Sequence, residues 1–421
     1  LFSDNVNDFY RDFWTVPGKL TVGSDDADSV FTGGLASKYW TYSDGSTFEV
    51  VNFGTFEKVG TGTLEIDTEE FGPTWIIISA GTLKLGAGNI LENDQRVSLS
   101  SGATLDITTE GESFGGLDGT GGMVRMGASN LTVGGDNTAR TYAGGLNNFT
   151  DADDDTLAPS PGDFIKTGGQ LFTIEGDLAT NLVNFTGDFE IQNGGLALSP
   201  SDGVTYSIAG SRLRGTGNLR QSGAGTLTIV DGPNDLSGNF IVLEGSTLGF
   251  EVTSGETVSI ASDRFRDAGT LQKTGTGTFT MDGGDGGFTG DIKVTEGTFK
   301  SGGGGNSLSD STSIDLASGA SFILTGDEKF GGIADIDDIT GNGGTFDLAG
   351  YEGNIGYDNA TDAIFSGSIT STGGGGNIIK GGSTGKLTLS GTSTYTGGTE
   401  ITGGTLTLGH ATDTLWDTGA I

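Results

Sequence analysis

The strongest constraint on this chain is a short, glycine-punctuated unit that recurs along it. The last complete copy, residues 379–409, reads IKGGSTGKLTLSGTSTYTGGTEITGGTLTLG. Residues 386–390, 399–402 and 405–408 alternate apolar and hydroxyl side chains, a period of two that predicts half-buried strands. Threonine suits the outer face of such strands, and glycine supplies the positive-φ corners between them. Because one copy buries only one face, the unit predicts stacking of many copies into a solenoid.

The copies are regularly spaced. Lys58, Lys166, Gln221, Lys273 and Lys380 occupy the same place in five copies, and the steps between their sequence numbers are 108, 55, 52 and 107. These steps are close to two, one, one and two units of about 54 residues, a period typical of stacked arrays. The spacing predicts a continuous β-solenoid of about seven such units over residues 43–421.

Longer stretches of the chain are also duplicated. Residues 100–117 resemble residues 317–333, and residues 206–219 resemble residues 258–271. The second pair places Arg212 and Arg214 at the same offset from Arg264 and Arg266, so these arginines are expected to form a small basic ladder or to pair with neighbouring acids.

Composition agrees with a solenoid. The chain has 421 residues, of which 80 are glycine, 6 are proline and none is cysteine. Glycine without a strict triplet excludes collagen, and the alternating strands argue against disorder. In a solenoid each coil contacts only its neighbours, so one hydrophobic column can run through the whole length. The predicted fold class is therefore all-β, a parallel β-helix (β-solenoid) rod.

Both ends of the chain differ from the repeat. Residues 1–42 are aromatic and lack the repeat, and we interpret them either as a cap on the first coil or as a segment that docks on another copy. No cap is evident at the C-terminal end, and an open sheet edge invites pairing. The candidate assembly residues at the two ends are aromatic: Phe2, Phe9, Tyr10, Phe13, Trp14 and Trp416.

The charge of the chain limits the classes of molecule that it is expected to bind. The formal net charge is −35 and the isoelectric point about 4.1. Nucleic acid and anionic lipid both require basic surfaces, so neither is an expected partner. No run approaches the apolar length of about 20 residues that a transmembrane helix needs. The expected partners are further copies of the chain or components of a cell surface or matrix.

Clustered carboxylates are the candidate metal ligands. The interruption at residues 151–163 contains acid and proline, and a second acidic group follows residue 334. Solvated acidic loops are one interpretation of these groups, and calcium binding is the other. The candidate ligands are Asp151, Asp153, Asp154, Asp155, Asp335, Asp337 and Asp338. No other cofactor is expected.

The sequence offers little for catalysis. His410 is the single histidine and lies near the end of the chain, and there is no cysteine. Zinc sites and histidine-dependent nucleophiles therefore lack their residues. A polysaccharide-cleaving solenoid stays a third alternative, which a cleft of aspartates with lysine or arginine would support. We predict a non-enzymatic protein with no catalytic residue.

Two stretches resemble a known family. KTGTGTFTMDGG, continuing to FTGDIKVTEGTFK, and GKLTLSGTSTYTGGTEITGGTLTLG resemble the passenger-associated transport repeat, also called the autotransporter-associated β-strand repeat. The matching signature positions are Lys273, Gly275, Gly277, Thr278, Leu387, Leu389, Ser390, Gly391, Tyr395, Gly397, Gly398, Gly404, Thr405, Leu406 and Leu408. The similarity covers roughly residues 56–409.

The resemblance implies a right-handed β-helix that is secreted through, or displayed on, the outer membrane of a Gram-negative-type bacterium. It implies no particular activity, because fold and function separate. The chain starts at Leu1 and does not contain the translocating β-barrel of an autotransporter, so we expect a chain whose leader has been removed or a fragment. Such a chain is either a cleaved passenger or a repeat protein that is exported another way and built into a matrix or filament.

Two functions remain open from the sequence. The first is an extracellular structural rod that polymerises head to tail into filaments, since a heterologous contact that does not close propagates into a fibre. The alternative is a monomeric autotransporter passenger that acts as an adhesin or glycan-binding module. Exposed aromatic ladders would favour the alternative.

Overall fold

The computed structural model describes residues 19–23, 26–31, 40–41, 47–48, 54–68, 71–150, 156–232, 235–283, 287–301, 307–335, 343–355, 362–382 and 384–409. The chain divides into two compact units. The first contains residues 1–204, 212–219 and 235–237, and the second contains residues 205–211, 220–234 and 238–421.

The first unit is a stack of coils with up to three parallel strands each. Its first sheet contains β1 (Lys19–Val22), β5 (Thr55–Lys58), β7 (Trp75–Ile78), β9 (Arg96–Leu99), β12 (Gly116–Gly119), β15 (Arg140–Tyr142), β18 (Leu171–Gly176) and β20 (Gly195–Pro200). Its second sheet contains β2 (Ser29–Phe31), β6 (Thr63–Ile66), β8 (Thr82–Leu85), β10 (Thr104–Asp106), β13 (Met123–Arg125) and β16 (Gly145–Asn147). Its third sheet contains β11 (Glu112–Phe114), β14 (Leu131–Val133), β17 (Phe164–Lys166), β19 (Phe189–Ile191), β22 (Leu213–Gly215) and β25 (Asp235–Leu236).

Four further elements interrupt or flank this pattern. The strands β3 (Trp40–Thr41) and β4 (Thr47–Phe48) form an antiparallel pair. One turn of helix, α1 (Leu178–Asn181), begins at Asp177, whose side chain accepts a hydrogen bond from the Thr180 N–H. Strand β23 (Asn218–Gln221) lies where the chain passes from the first unit to the second.

The second unit has the same three-faced construction. Its first face contains β26 (Phe240–Val242), β29 (Phe265–Asp267), β32 (Gly287–Phe288), β37 (Glu328–Phe330), β40 (Glu352–Ile355), β43 (Asn377–Lys380) and β45 (Thr399–Ile401). Its second face contains β21 (Thr205–Ala209), β24 (Thr226–Val230), β27 (Thr247–Glu251), β30 (Thr270–Thr274), β33 (Asp291–Val294), β35 (Ser313–Leu316), β38 (Gly332–Asp335), β41 (Ala363–Phe365), β44 (Lys386–Leu389) and β46 (Thr405–Leu408). Its third face contains β28 (Thr257–Ala261), β31 (Thr278–Asp282), β34 (Thr298–Ser301), β36 (Ser321–Ile323), β39 (Thr345–Asp347) and β42 (Ser368–Thr370). Two 3₁₀ turns, Gly210–Arg212 and Ser262–Arg264, precede β22 and β29.

Register places like residues above one another. In the second sheet of the first unit, Leu64 pairs with Leu83 and Leu83 with Leu105, and all three are buried. The alternating threonines of these strands point outward and are half-buried. The period of two seen in the sequence therefore separates an apolar interior from a hydroxyl-rich exterior.

The interior of the second unit is a column of phenylalanines. Phe279, Phe299, Phe322 and Phe346 are in register on successive strands of the third face. Their ring centroids are separated by 5.3, 5.2 and 5.9 Å. Aromatic pairs at such separations add about 1 kcal/mol each beyond the area they bury. Each coil is thus held by its neighbours rather than by contacts of its own.

The sequence repeat and the structural coil have different lengths. In the first unit, four coils separate β5 from β15, through β7, β9 and β12. Two further faces lead to β17, which ends at Lys166, so the stretch from Lys58 to Lys166 spans four and two-thirds coils. Because this stretch is two sequence units long, one unit corresponds to about two and one-third coils.

The second unit shows the same relation. Lys273 stands at the corner that leads into β31, and four coils separate β31 from β42, through β34, β36 and β39. One face leads from β30, which contains Lys273, to β31, and one leads from β42 to β43, which ends at Lys380, so this stretch also spans four and two-thirds coils. Each sequence repeat therefore places its corner one face further round the coil than the preceding repeat.

These findings confirm the all-β, parallel β-solenoid prediction. The strands predicted at 386–390, 399–402 and 405–408 are β44, β45 and β46, each shorter by at most one residue. The predicted division at residue 42 lies outside the described residues, as do residues 151–155 of the predicted acidic interruption, and both stay predictions.

Candidate functional site: repeat corners and outward faces

Most of the predicted site residues lie outside the described residues. This applies to the candidate assembly residues Phe2, Phe9, Tyr10, Phe13, Trp14 and Trp416, and to the calcium candidates Asp151, Asp153, Asp154, Asp155, Asp337 and Asp338. The backbone of Asp335 is the last position of β38, paired with Leu316. Among the described residues, no group of three or more His, Cys, Asp or Glu side chains could hold a metal ion.

The repeat corners contain buried lysines. The Lys273 ammonium donates to the carbonyl oxygens of Thr274 at 2.6 Å, Gly275 at 2.5 Å and Glu296 at 3.2 Å. Only 1% of the Lys273 residue surface is exposed. Burial lowers the pKa of Lys273 to about 8, against the opposing influence of Glu296 and Glu251. The lysine therefore ties its own glycine corner to the corner of the next coil.

The same arrangement recurs at other copies. Lys58 donates to the carbonyls of Val59 at 2.7 Å, Gly60 at 2.8 Å and Ala80 at 3.3 Å. Lys166 donates to those of Thr167, Gly168 and Asn193, the last at 3.4 Å. Burial lowers the pKa of Lys166 to about 8, opposed by Asp136. The sequence identified these positions as equivalent but gave no sign that the amine would point inward.

Two buried glutamates hold loops of the preceding coil. The Glu112 carboxylate accepts the N–H groups of Ile90 at 3.1 Å and Leu91 at 3.2 Å. Glu328, at the duplicated position, accepts the N–H of Ser307 at 3.1 Å and that of Leu308 at 3.4 Å. Burial raises the pKa of Glu112 to about 7 and also raises that of Glu328. These carboxylates satisfy buried backbone donors and are structural.

The duplicated arginines divide into two roles. Arg212 donates to the carbonyl oxygens of Gly187 and Phe185, and Arg264 donates to that of Gly238. Their guanidinium groups lie 5.2 Å from the Phe185 ring centroid and 4.9 Å from that of Phe240.

The second arginine of each pair behaves differently. Arg214 forms ion pairs with Asp163 at 2.6 Å, Asp188 at 3.0 Å and Glu190 at 2.9 Å. Arg266 donates to the carbonyl of Phe265 at 2.8 Å. Pairing with acids is therefore confirmed for Arg214, and a basic ladder does not form from these residues.

The outward faces of the first unit have ordered charge. Glu65, Lys84, Asp106 and Arg125 stand on successive strands of its second sheet in alternating sign. The Lys84–Glu65 and Arg125–Asp106 ion pairs measure 3.3 and 3.2 Å. On the first sheet, the Arg96 guanidinium lies 4.4 Å from the Trp75 ring centroid, and both Arg96 and Arg140 pair with Asp118.

The outward faces of the second unit are rich in hydroxyls. One column on its third face consists of residues in register on six strands: Thr257, Thr278, Thr298, Ser321, Thr345 and Ser368. Tyr142, Tyr206 and Tyr395 are buried, and Tyr351 is exposed. The described faces thus show no aromatic ladder of the kind that stacks on sugar rings.

Two shallow depressions mark the surface. In the first unit, a volume of 550 Å³ is lined by Asn89, Leu91, Glu92, Asn93, Asp94, Ser113 and Gly135. In the second unit, a volume of 490 Å³ is lined by Glu352, Asn377, Ile378, Ile379, Gly398, Thr399, Glu400 and Ile401. Neither set contains the pairing of a nucleophile with a base that covalent catalysis requires.

Asn148, the first residue of an Asn-Phe-Thr sequon, is fully buried and hydrogen-bonded on both sides of its amide, so it is not a glycan acceptor in the folded chain.

A search of the described residues for a helix long and apolar enough to cross a membrane finds none.

Comparison with known proteins identifies the same repeats that form the lysine corners. Residues 268–300 and 378–408 match the passenger-associated transport repeat, and they contain the Lys273 and Lys380 corners. A stretch of 144 residues, 32% of this chain, is 28% identical to the adhesin BmaC autotransporter of Brucella suis biovar 1 (strain 1330). The match spans 4% of the length of that relative. No solved structure matches the chain. The recognition made from the sequence is confirmed: the chain is a β-solenoid that contains passenger-associated transport repeats and is similar to an autotransporter adhesin.

Proposed function

We propose that the chain is a non-enzymatic, extracellular passenger that is displayed on the surface of a Gram-negative-type bacterium. Its outward solenoid faces make adhesive contacts there. The observation that carries the proposal is the similarity of 144 residues to a protein named as an autotransporter adhesin. The chemistry of the described faces supports it, because they present hydroxyl columns and ion-paired ladders rather than a catalytic constellation.

The charge and side chains of the outward faces determine which interactions with a partner are favourable. The formal charge of −35 repels acidic surfaces, so adhesion would depend on hydrogen bonding, local cationic groups or screening ions. Partners of matching chemistry are neutral or basic components of a cell surface or matrix. Aromatic stacking on glycans has little support in the described faces.

An adhesion assay tests the proposal. Beads coated with the folded protein should adhere to epithelial cells or to immobilised matrix several-fold more than beads coated with the heat-unfolded protein at equal density. Equal adherence would remove the adhesin interpretation. Adherence that falls at high salt would identify ion pairs as the main contribution.

Head-to-tail polymerisation is a second candidate, favoured by one feature of the second unit. Ile401 and Leu408 continue the core positions of Lys380 and Leu389 but are each 47% exposed, against 2% and 1% for their stacked predecessors. The last described coil therefore presents apolar core positions that a further layer would cover. The aromatic segment with Phe9, Tyr10 and Trp14 is the proposed covering element from another copy.

Electron microscopy with and without a calcium chelator tests this second candidate. Filaments would support a polymer, and their loss in chelator would support calcium at the junctions. Deleting residues 1–20 should leave a β-rich protein by circular dichroism and abolish assembly. Isolated particles under both conditions would leave the monomeric adhesin as the remaining interpretation.

A further inference from the structure

Three corners of the solenoid share one backbone geometry. The lysines at positions 58, 166 and 273 each reach the carbonyl oxygen of one residue in the following coil: Ala80, Asn193 and Glu296, at 3.3, 3.4 and 3.2 Å. Each of these residues precedes a glycine in the left-handed region, Gly81 at φ +65°, Gly194 at φ +67° and Gly297 at φ +69°. The surroundings of the three glycines are also alike. A Cβ at Gly194 would lie 2.6 Å from the Gly168 oxygen and 2.7 Å from that of Gln170, so only glycine fits.

The three corners differ in the side chain before the glycine. Ala80 has no reactive group and Glu296 has a carboxylate, whereas Asn193 has an amide. The Asn193 side chain is exposed and folds over the next peptide unit, where its Oδ1 accepts the Gly194 N–H at 2.8 Å. The Gly194 nitrogen is therefore held beside the side-chain amide, with no Cβ on Gly194 to hinder approach.

We propose that Asn193–Gly194 is a self-modification site, at which the asparagine cyclises to a succinimide that water opens to isoaspartate and aspartate. The Gly194 nitrogen loses its proton to hydroxide and forms a bond to Cγ of Asn193. The Cγ–Nδ2 bond breaks, and the amide nitrogen takes a proton from water and leaves as ammonia, which regenerates the hydroxide. Water then adds to one of the two ring carbonyls, and the bond from that carbonyl to the Gly194 nitrogen breaks.

The position of Lys166 favours isoaspartate among the two products. Its ammonium is hydrogen-bonded to the main-chain carbonyl oxygen of Asn193, and water attack at that carbonyl gives isoaspartate. A cation at this oxygen stabilises the negative charge that develops on it during the attack. The product has a free carboxylate where this carbonyl stood, beside the buried ammonium of Lys166. Isoaspartate thus replaces a neutral acceptor of Lys166 by an anionic one.

Peptide mass spectrometry of the intact, folded protein after incubation at neutral pH, where the Lys166 amine is protonated, tests the proposal. The peptide that contains Asn193 should gain about one dalton, the difference between an amide and a carboxyl group. Asn193→Ala is the matched control, because the equivalent corner at Ala80 already has alanine, and it should remove the modification without changing the fold. Ala80→Asn transfers the amide to an isostructural corner and should create a second site of modification.

The competing outcomes are distinct. If Asn193 stays intact in the folded protein while the urea-unfolded protein is converted, the corner protects the residue and the proposal fails. If Ala80→Asn is not modified although Asn193 is, corner geometry is not the cause. Lys166→Gln, chosen because the equivalent position 221 has a glutamine, should lower the ratio of isoaspartate to aspartate. An unchanged ratio would overturn the directing role of Lys166.

Discussion

The Lys273 and Gln221 side chains both donate hydrogen bonds to backbone carbonyls at a repeat corner, but one is an amine and the other an amide. Lys273 brings an ammonium that donates to three carbonyls of its own corner and of the next coil. The neutral amide of Gln221 donates to the carbonyls of Gly225 at 2.7 Å and Thr247 at 3.3 Å, and its Oε1 accepts the Gly223 N–H at 3.0 Å. The comparison indicates that the position requires donors directed at buried carbonyls, and that positive charge is not itself required.

Removing the donors should have the largest effect. Lys273→Met keeps the aliphatic volume but leaves up to three carbonyls without this partner, and we expect a loss of about 3 kcal/mol in the free energy of unfolding. Urea unfolding followed by circular dichroism measures it. Lys293→Met is the matched control, because Lys293 is on the neighbouring strand, opposite Gln272, and is half-exposed on the outer face. Equal losses in the two variants would contradict a special role for the corner.

The buried charge should also give a pH dependence. The pKa of Lys273 falls from 10.5 when unfolded to about 8 when folded. Between pH 8 and 10.5 the unfolded chain binds more protons at this site, so its contribution to stability rises with pH there and is lost as pH falls toward 8. Lys166 has the same direction and the same value.

The double variant Lys166→Gln, Lys273→Gln tests this dependence. The free energy of unfolding of the original protein should rise more steeply from pH 8 to 10 than that of the variant. Identical slopes would show that neither amine changes its protonation on folding in this range. Measurements below pH 8 supply the baseline, because both amines are protonated there in the folded and the unfolded chain.

At neutral pH, exchanging one donor type for the other should cost less. Lys273→Gln retains donors for the corner, so the expected loss is about 1 kcal/mol, smaller than for Lys273→Met. The same urea experiment measures it. A loss as large as that of the methionine variant would show that the ammonium, rather than its hydrogen bonds, stabilises the corner.

The sequence predicted the features of these corners that depend on neighbours in the chain. It did not predict the contacts that the side chains make with another coil. Local alternation and glycine spacing predicted the strands of 379–409 and the equivalence of Lys273 with Gln221, because both depend on neighbours in the chain. Duplication likewise paired Glu112 with Glu328. The hydrogen bonds of these side chains reach another coil, as from Lys273 to Glu296, and no local pattern reports such a contact.

The number of coils in each sequence repeat also could not be predicted from the sequence. The repeat has a period of about 54 residues, and this period does not fix how many coils one repeat contains. The parallel register pairs Thr278 with Thr298 and Ser321 with Thr345, so one coil takes up less than half of a repeat. Register is set by cross-strand packing between distant residues, so it appears only in the folded chain. The calcium and assembly predictions remain to be tested by experiment.

The reverse exchange should have the smallest effect and is the sharpest test of equivalence. Gln221 and Lys273 precede glycines at the same spacing, Gly223 and Gly225 in one case and Gly275 and Gly277 in the other. Gln221→Lys should therefore direct its amine to the carbonyls of Ser222 and Gly223, with a change in unfolding free energy of less than about 1 kcal/mol. The variant should also acquire a rise in stability above pH 8, as at Lys273, because the new amine would be equally buried. A strongly destabilised variant would show that the Gln221 corner is shaped for an amide, and the two corners would then be equivalent in sequence but not in structure.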